Sequence, residues 1–326
     1  MIDGLHEITR SSELPKGPVE VLGAEGWAAR PDAHLVLIRD RQLVARASLW
    51  WTATHELGVG LVGHAAWEDA ATGNELVTSA LDRLRAEGCT SVLGPMDGST
   101  WRSYRVVVDP SPHGTAEPPF ASEPFPPSQI GEAFELAGFA PVAYYVSARV
   151  DAIPDRADLW ADAQRQLDAK GITVRPFNPA DVDRELAWLY PLIRDAFAAN
   201  LFYTPLPEAD FRAMYAPLVA QNDPGLMWIA ERAGEPIGFH FGFPDLAQAA
   251  RGETIDTIIC KTLAVSPSAR GQGLGGALTL GMEEAGRQRG LTRALHALMH
   301  EANDSLKISR HGARIMRRYA LLGREL

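Results

Sequence analysis

The sequence is poor in cysteine and has no excess of basic residues. Its 326 residues include two cysteines, Cys89 and Cys260, and 31 basic against 41 acidic side chains. Two distant thiols, both in predicted strands, favour reduced and buried side chains over a disulfide, and they offer no metal framework. The net charge of −10 argues against a nucleic-acid-binding surface, which usually carries a basic excess. We therefore expect no metal and no nucleic-acid partner.

Long apolar runs are missing as well. No segment approaches the roughly 20 apolar residues of a membrane-spanning helix. Residues 1–7 lack the basic start of a signal peptide, and no apolar run follows them. These features predict a soluble, cytoplasmic protein without a membrane partner. The length suits two domains, and a hydrophobic content of 46% allows each of them to bury a core.

Strand and helix patterns alternate along the chain, which predicts an α/β fold with a mixed sheet. Residues 1–30, broken by proline and glycine, are predicted to be irregular apart from one short helix at most. The first half is predicted to hold a hairpin that turns near Asp40 and a helix that ends at Gly88. The predicted strands lie at 34–51 (the hairpin), 58–63, 89–93, 142–150, 172–177, 226–243 (a second hairpin), 258–265 and 291–300. The predicted helices lie at 74–87, 130–138, 156–169, 181–200, 208–220 and 276–289.

One glycine-rich stretch dominates the second half. A strand rich in Ile, Thr and Val runs to Val265, and Gly271, Gly273 and Gly276 precede the body of a helix. Free backbone N–H groups and the positive end of the helix dipole then point to one place, where an anion, and a phosphate best of all, is favoured. A plain helix start with spare glycines remains the simpler alternative.

Two common phosphate motifs fit this stretch poorly. The glycines satisfy G-x-G-x-x-G, but the dinucleotide fingerprint needs an acidic residue about twenty positions on, where His296 stands. A Walker A loop needs Gly-Lys-Ser/Thr after its glycines, and residues 274–276 read L-G-G instead. The stretch therefore predicts a phosphate loop of another kind.

Residues 270–275 read R-G-Q-G-L-G, which matches the motif R/Q-x-x-G-x-G/A. This motif resembles the pyrophosphate loop of the GCN5-related N-acetyltransferase (GNAT) superfamily. Residues 261–267 resemble that family's fourth strand, and Asn303 follows the predicted fifth strand as it often does in the family. The resemblance covers roughly residues 171–326. It implies an acyl-CoA-dependent enzyme, with acetyl-CoA as co-substrate, that transfers an acyl group directly to an amine.

The first half repeats the order of the second. Fifteen positions separate Gly73 from Gly88, as they separate Gly275 from Gly290, and a shift of 202 residues aligns the two helices. The same shift puts Glu68 and Asp69 where the phosphate loop would be. We therefore predict two tandem GNAT-like domains, each a mostly antiparallel twisted sheet flanked by helices. Residues 1–150 form a degenerate copy without the CoA loop, and residues 151–326 form the copy with the acyl-CoA site. Two unrelated α/β domains remain the alternative.

The resemblance implies the following site. A backbone N–H of Leu263 or Val265 stabilises the oxyanion, and the loop holds the pyrophosphate. Asn303 bonds the pantetheine arm or caps the helix after it. The predicted cofactor-binding residues are Leu263, Ala264, Val265, Arg270, Gly271, Gln272, Gly273, Leu274, Gly275, Gly276 and Asn303.

Catalytic and substrate residues are less well defined by the resemblance. We take Asp256, His300 and Ser305 as catalytic candidates, with Cys260 and Lys261 as other groups near the fourth strand. Phe202, Tyr203 and His240 are the predicted substrate contacts. Many relatives carry a tyrosine as general acid in the helix after Asn303, and this chain has Ile308 at that place.

A loop in the first half, residues 99–105, carries an indole, a phenol and two arginines. Arg102 and Arg105 suit a carboxylate or phosphate, whereas Trp101 suits a plug between domains, and both interpretations stay open. The leading prediction for the chain is an N-acyltransferase for a small-molecule amine, working as a monomer or homodimer. The alternative is a non-catalytic acyl-CoA-binding or scaffolding protein.

Overall fold

The computed structural model describes residues 2–9, 14–112, 114, 116–303, 306 and 312–326. Strands in these residues are β1 (Gly4–Ile8), β2 (Ala33–Arg39), β3 (Gln42–Trp50), β4 (Val59–Trp67), β5 (Ser91–Gly94), β6 (Val106–Asp109), β7 (Ala140–Val150), β8 (Ile172–Pro176), β9 (Met227–Arg232), β10 (Glu235–Pro244), β11 (Thr257–Val265), β12 (Arg293–His300) and β13 (Arg314–Glu325). Helices are α1 (Ala24–Trp27), α2 (Ala70–Ala86), α3 (Ser128–Leu136), α4 (Ala157–Asp168), α5 (Val182–Phe197), α6 (Glu208–Gln221), α7 (Leu246–Ala250) and α8 (Leu274–Arg287).

The described strands form one mixed sheet in the order β1-β2-β3-β4-β5-β13-β7-β12-β11-β10-β9-β8, with β6 paired to β13 beside this path. The predicted mixed α/β fold is confirmed. The hairpin of β2 and β3 turns where predicted, at Asp40 and Arg41, which both have positive φ as a two-residue hairpin turn requires. The prediction for residues 1–30 is wrong at β1, an edge strand of alternating exposure that lies against β2.

Each half contains a parallel strand pair joined by a crossover helix. In the first half β4, α2 and β5 form this unit, and in the second half β11, α8 and β12 form it. Helix α2 buries one face, which includes Leu76, Val77, Ala80, Leu81 and Leu84, against its half of the sheet. The same strand-helix-strand unit therefore occurs once in each half, and the tandem arrangement of two domains stays a prediction.

The two halves exchange their last strands. Strand β13, from the end of the chain, pairs with β5 of the first half, and β7 of the first half pairs with β12 of the second. Strands β7 and β13 also pair with each other, with Tyr145 opposite Tyr319. Each half of the sheet is thus completed by a strand of the other half. The boundary between residues 150 and 151 stays a prediction.

A buried ion pair holds the proline-rich connection over these central strands. The side chains of Arg317 on β13 and Glu123 in the connection are both 0% exposed, and Nη1 of Arg317 lies 2.8 and 2.9 Å from the two carboxylate oxygens. The Tyr319 hydroxyl donates to Glu123 and lies 3.0 Å from the hydroxyl oxygen of Ser147 on β7. Every charge in this cluster has a partner, as buried charges require.

Among the described residues, no helix combines the length and the apolar character that crossing a membrane requires.

Candidate functional site

The N-terminus of α8 has the geometry of an anion site. Gly271 and Gly273 have φ values of 74° and 82°, which side chains other than glycine rarely adopt. Gly273 is the N-cap residue of α8, and no side chain caps the helix there. A Cβ placed on Gly271, Gly273 or Gly276 would have no atom within 4 Å, so the loop faces open space. Unpaired N–H groups and the helix dipole are therefore available to a bound phosphate.

The equivalent terminus in the first half is already occupied. Asp69 is the N-cap of α2, and its carboxylate accepts a hydrogen bond of 2.8 Å from the N–H of Thr72. This hydrogen bond is the main cause that holds the pKa of Asp69 below its usual range. The carboxylate takes the place that a phosphate takes at a helix N-terminus.

Three cations lie around the glycine loop. The Arg270 guanidinium donates to the carbonyl of Ala196, 2.7 Å away at the end of α5, so in this structure it caps that helix. Lys170 Nζ lies 3.1 Å from the carbonyl oxygen of Gln272, and Arg232 Nη2 lies 2.7 Å from Gln272 Oε1. Lys170 and Arg232 could not be found from the sequence because they reach the loop only through tertiary packing.

Strands β11 and β12 separate beside this loop. Their parallel pairing ends with Cys260 opposite His296, although both strands continue. Leu298, two residues further on, has a φ of 58°, and its N–H donates to Ser147 Oγ on β7 at 3.1 Å. The bulge turns β12 away from β11, so the edge of β11 that follows Cys260 is left without β12 as a partner.

The first half lacks this opening. The parallel pair of β4 and β5 can be aligned with the pair of β11 and β12 at their first paired residues. In this alignment Met96 corresponds to Leu298, and Val62 corresponds to Cys260. Here the N–H of Met96 donates to the carbonyl of Val62 at 2.9 Å, and the pair stays closed. A Cβ on Gly63 would lie 2.1 Å from the Met96 carbonyl oxygen, so only glycine fits this close approach. The open strand pair and the uncapped helix therefore occur together in the second half.

The separated strands open into a cavity of about 620 Å³. Residues from both halves of the chain line this cavity, so the first half reaches the candidate site. The first half contributes Thr100, Trp101, Arg102, Tyr104, Arg105 and Tyr145. The second half contributes, among others, Tyr203, Tyr215, His240, Lys261, Leu263, Leu298, His300 and Asn303.

The cavity brings together several predicted site residues. Leu263, Tyr203, His240, His300 and Asn303 all line it. The glycine loop of residues 271–276 lies outside its lining.

Other predicted residues lie elsewhere. Asp256 precedes β11 at the strand end far from the opening, where it contacts Gln248 and Arg293, and it does not line the cavity. Phe202 packs on His55 with ring centroids 5.2 Å apart and is not part of the lining either.

Ala264 and Val265 belong to the hydrophobic packing around β11. Their side chains are therefore not cavity groups, although their backbone follows the opening. Ser305 lies outside the described residues.

His240 is buried in the cavity wall. Its Nδ1 lies 3.1 Å from the carbonyl oxygen of Leu278, and burial lowers the pKa of His240 to about 4. The imidazole is therefore neutral near pH 7, which suits a hydrogen-bonding contact better than a proton acceptor.

Lys261 lies on β11 directly after the last paired residue. Its Nζ donates to the carbonyl of Ser122 at 3.2 Å. Burial, with a smaller contribution from the nearby Arg105 charge, lowers the pKa of Lys261 to about 8. A partly deprotonated amine at this position can accept a proton from an incoming ammonium group.

Replacement of Lys261 by Met is expected to stabilise the fold at pH 7. Below pH 8 the folded protein holds a desolvated ammonium, and between pH 8 and about 10.5 the unfolded chain binds more protons than the folded one. Wild-type stability therefore rises with pH in this window. Lys261→Met should unfold in urea with a free energy about 1–3 kcal/mol higher at pH 7, and this difference should shrink by pH 10.

The exposed Lys170 provides the control for this measurement, because Lys170→Met removes an ammonium that is already solvated. A stability difference for Lys261→Met that stays constant from pH 7 to pH 10 would contradict the desolvation of Lys261.

Trp101 joins the two halves at the cavity wall. Its Nε1 donates to the carbonyl of Thr204 at 2.8 Å, and its ring packs on Phe197, Tyr203 and Phe211. A side chain of the first half is thus inserted into the aromatic packing of the second, as the plug interpretation of this loop requires.

Two tyrosines of the cavity are candidates for the general acid that the sequence pattern lacks. The Tyr203 hydroxyl is buried without a hydrogen-bond partner among the described groups. Tyr215 lies beside Thr262 of β11, and burial raises the pKa of Tyr215 to about 12. Both phenols are therefore protonated near neutral pH and can donate to a leaving thiolate.

The described residues include no group of three or more His, Cys, Asp or Glu side chains that is arranged to hold a metal ion.

Comparison with known proteins identifies a domain in the second half. Residues 190–308 match the model of the acetyltransferase (GNAT) family. The chain contains a GNAT domain. This match includes β11, the glycine loop, α8 and β12, and the predicted membership of the GNAT superfamily is confirmed.

Solved structures show the same fold over most of the chain. A GCN5-related N-acetyltransferase from Sphaerobacter thermophilus aligns over 90% of this chain and 80% of its own, with a TM-score of 0.53 and 16% identity. A tandem GNAT protein from the clavulanic acid biosynthesis pathway aligns over 95% of this chain and 90% of its own, with a TM-score of 0.50 and 13% identity. At these identities the likeness concerns the fold alone.

A curated relative is the bacterial ceramide synthase of Caulobacter vibrioides (strain NA1000 / CB15N). It is 28% identical over 188 residues, which are 57% of this chain. The alignment spans about half of the relative, 47% of its length.

Proposed function

We propose that the protein is an acyl-CoA-dependent N-acyltransferase that transfers an acetyl group from acetyl-CoA directly to a small-molecule amine. One observation carries this proposal: two separated strands and a glycine loop at an uncapped helix start lie next to each other. Both features are present at β11, β12 and α8, and both are absent from the matching unit of the first half.

The glycine loop suits the pyrophosphate of coenzyme A. Open space in front of Gly271, Gly273 and Gly276 leaves room for the phosphates, and the first N–H groups of α8 supply donors. Lys170 and Arg232 add positive charge beside the loop in a chain whose net charge is −10. These residues fit the group that the family binds.

The chain's own groups then serve the transfer. Acetyl-CoA supplies the acyl group as a thioester when it is bound. The N–H of Leu263 or Val265, on the unpaired edge of β11, donates to the carbonyl oxygen as negative charge develops there. Lys261 accepts a proton from the acceptor ammonium, and Tyr203 or Tyr215 protonates the leaving thiolate.

The experiment that tests this function follows release of the coenzyme A thiol from acetyl-CoA in the presence of a panel of primary amines. We expect amine-dependent thiol release and an N-acetylated product in the mass spectrum. Long-chain acyl-CoA and a long-chain amine belong in the panel, because the curated relative is named a ceramide synthase and ceramides are fatty-acid amides. Binding of acyl-CoA without amine-dependent release from any donor would favour the non-catalytic alternative.

A further inference from the structure

Arg105 is held in an unusual environment at the wall of the cavity. It is 4% exposed, and its guanidinium carbon lies 3.8 Å from the ring centroid of Tyr104 and 3.9 Å from that of Tyr145. Its φ of 85° lies in the left-handed region, which arginine rarely adopts. Two aromatic faces therefore fix the plane of this guanidinium, and only its edge remains for hydrogen bonds.

The edge of Arg105 is incompletely bonded. Nη1 donates to the carbonyl of Leu298 over a long 3.3 Å, and Nε is buried without a partner among the described groups. No described carboxylate forms an ion pair with Arg105, whereas the equally buried Arg317 is paired with Glu123. A desolvated cation without a counter-charge is strongly unfavourable, and proteins usually satisfy such a group.

The groups around Arg105 make the cavity electropositive. The cationic side chains of Arg102 and Lys261 line the same cavity, together with the imidazole of His300. The pKa of Lys261 and the pKa of His300 are both lowered, first by burial and then by the Arg105 charge, so both groups lie within electrostatic reach of Arg105. Arg105 and Lys261 are both charged near pH 7 and repel each other, and an anion placed between them stabilises both.

We propose that Arg105 of the first half binds an anionic group of the acceptor, so that the substrate is an amine that also carries a carboxylate or a phosphate. This inference rests on the proposed N-acyltransferase function and names the class of its acceptor. The planar fork of arginine suits two oxygens of either acid. Arg105 bonds to Leu298, the residue at which β12 leaves β11, so the acid is held next to the point where the acyl group enters.

This inference also explains why the first half is retained in the chain. Its unit of β4, α2 and β5 has neither an open strand pair nor a free helix terminus. The first half instead supplies the loop that carries Arg105, and this loop closes the acceptor side of the cavity. Recognition of the acceptor and binding of the acyl donor are thus divided between the two halves.

A binding measurement tests the anion site without turnover. The protein is saturated with coenzyme A, which fills the glycine loop, and its thermal midpoint is measured with β-alanine or phosphoethanolamine and with the matched neutral amines propylamine and ethanolamine. We expect the acid-bearing amines to raise the midpoint and the neutral amines to have no effect. A larger shift with β-alanine than with phosphoethanolamine identifies a carboxylate site, and the reverse order identifies a phosphate site.

Arg105→Met and Arg105→Lys are the variants. Arg105→Met removes an uncompensated buried cation, so its midpoint without ligand should equal or exceed that of the wild type. It should lose the shift with acid-bearing amines, and Arg105→Lys should recover part of it. If Arg105→Met fails to fold, Arg105→Lys still tests the proposal, because loss of the planar fork should weaken the shift.

Turnover provides the second readout. We expect kcat/KM for acid-bearing amines to exceed that for their neutral counterparts by at least about 10-fold in the wild type and to be nearly equal in Arg105→Met. Equal use of both kinds of amine by the wild type, or equal shifts from both, would overturn the proposal. Shifts that depend on Arg105 without acetylation of any amine would support the anion site and refute the proposed transfer.

Discussion

Gly273→Asp is expected to abolish binding of acetyl-CoA. An aspartate at the N-cap of α8 puts a negative charge at the helix start, where Asp69 puts one at the start of α2. The new carboxylate would repel a pyrophosphate at the positive end of the helix dipole. We expect isothermal titration to show an affinity at least about 100-fold lower, which corresponds to about 3 kcal/mol.

Gly290→Asp is the matched control for this substitution. Gly290 follows α8 at its opposite end and also has a φ of 82°, and a Cβ placed on it would likewise have no atom within 4 Å. Both variants therefore carry the same backbone strain, of about 1–2 kcal/mol. Unchanged binding in Gly290→Asp would assign the loss to the helix N-terminus, whereas equal loss in both variants would assign it to the strain.

Arg317→Met is expected to produce the largest loss of stability among the substitutions considered. It leaves Glu123 buried at 0% exposure without its cation, and breaking such a pair costs about 3–5 kcal/mol. Urea unfolding should show this decrease in free energy. The double variant Arg317→Met with Glu123→Leu should recover much of it, because the unpaired charge is then absent.

Arg314→Met on the same strand is the control for Arg317→Met. Arg314 is half-buried, and its ion pair with Asp151 lies at the surface. Its other partner, Glu117, keeps its ion pair with Arg149, so about 1 kcal/mol or less should be lost. If the double variant is as unstable as Arg317→Met alone, packing around Arg317 rather than the charge of Glu123 would account for the loss.

The local elements and the glycine loop could be predicted because their signals are local. Hydrophobic periodicity placed α2, a run of good helix formers after the glycines placed α8, and the turn at Asp40 followed from two short apolar runs. Gly271 and Gly273 are needed for positive φ in a tight loop, which is a property that the sequence carries directly. The alignment of the two halves rested on the same short-range spacing.

The strand exchange could not be predicted because it depends on pairing between distant residues. Strands β7 and β13 have similar apolar patterns, and nothing in either strand specifies whether β5 or β12 is its neighbour. The edge strand β1 was not predicted because it is short and partly polar, and because the prolines and glycines that follow it in the sequence are typical of a loop. Pairing against β2 decides its structure.

The part of the candidate site that binds the acyl donor was predictable from the sequence. The part that binds the amine was predictable only in part. The glycine loop and Leu263 follow from the motif. The positions of Lys170, Arg232 and Tyr215 depend on packing between elements. Arg105 was recognised as a possible anion contact, but its burial between two tyrosines appears only in three dimensions.

The exchange of β7 and β13 has a consequence for how the protein is made on the ribosome. After residues 1–150 have emerged, β5 and β7 cannot complete their part of the sheet, because the strand that fits between them is residues 314–325. Until then both strands present unpaired edges, which are sites of aggregation in nascent chains. The first half to be synthesised is therefore among the last to be finished, and both halves reach their native state together.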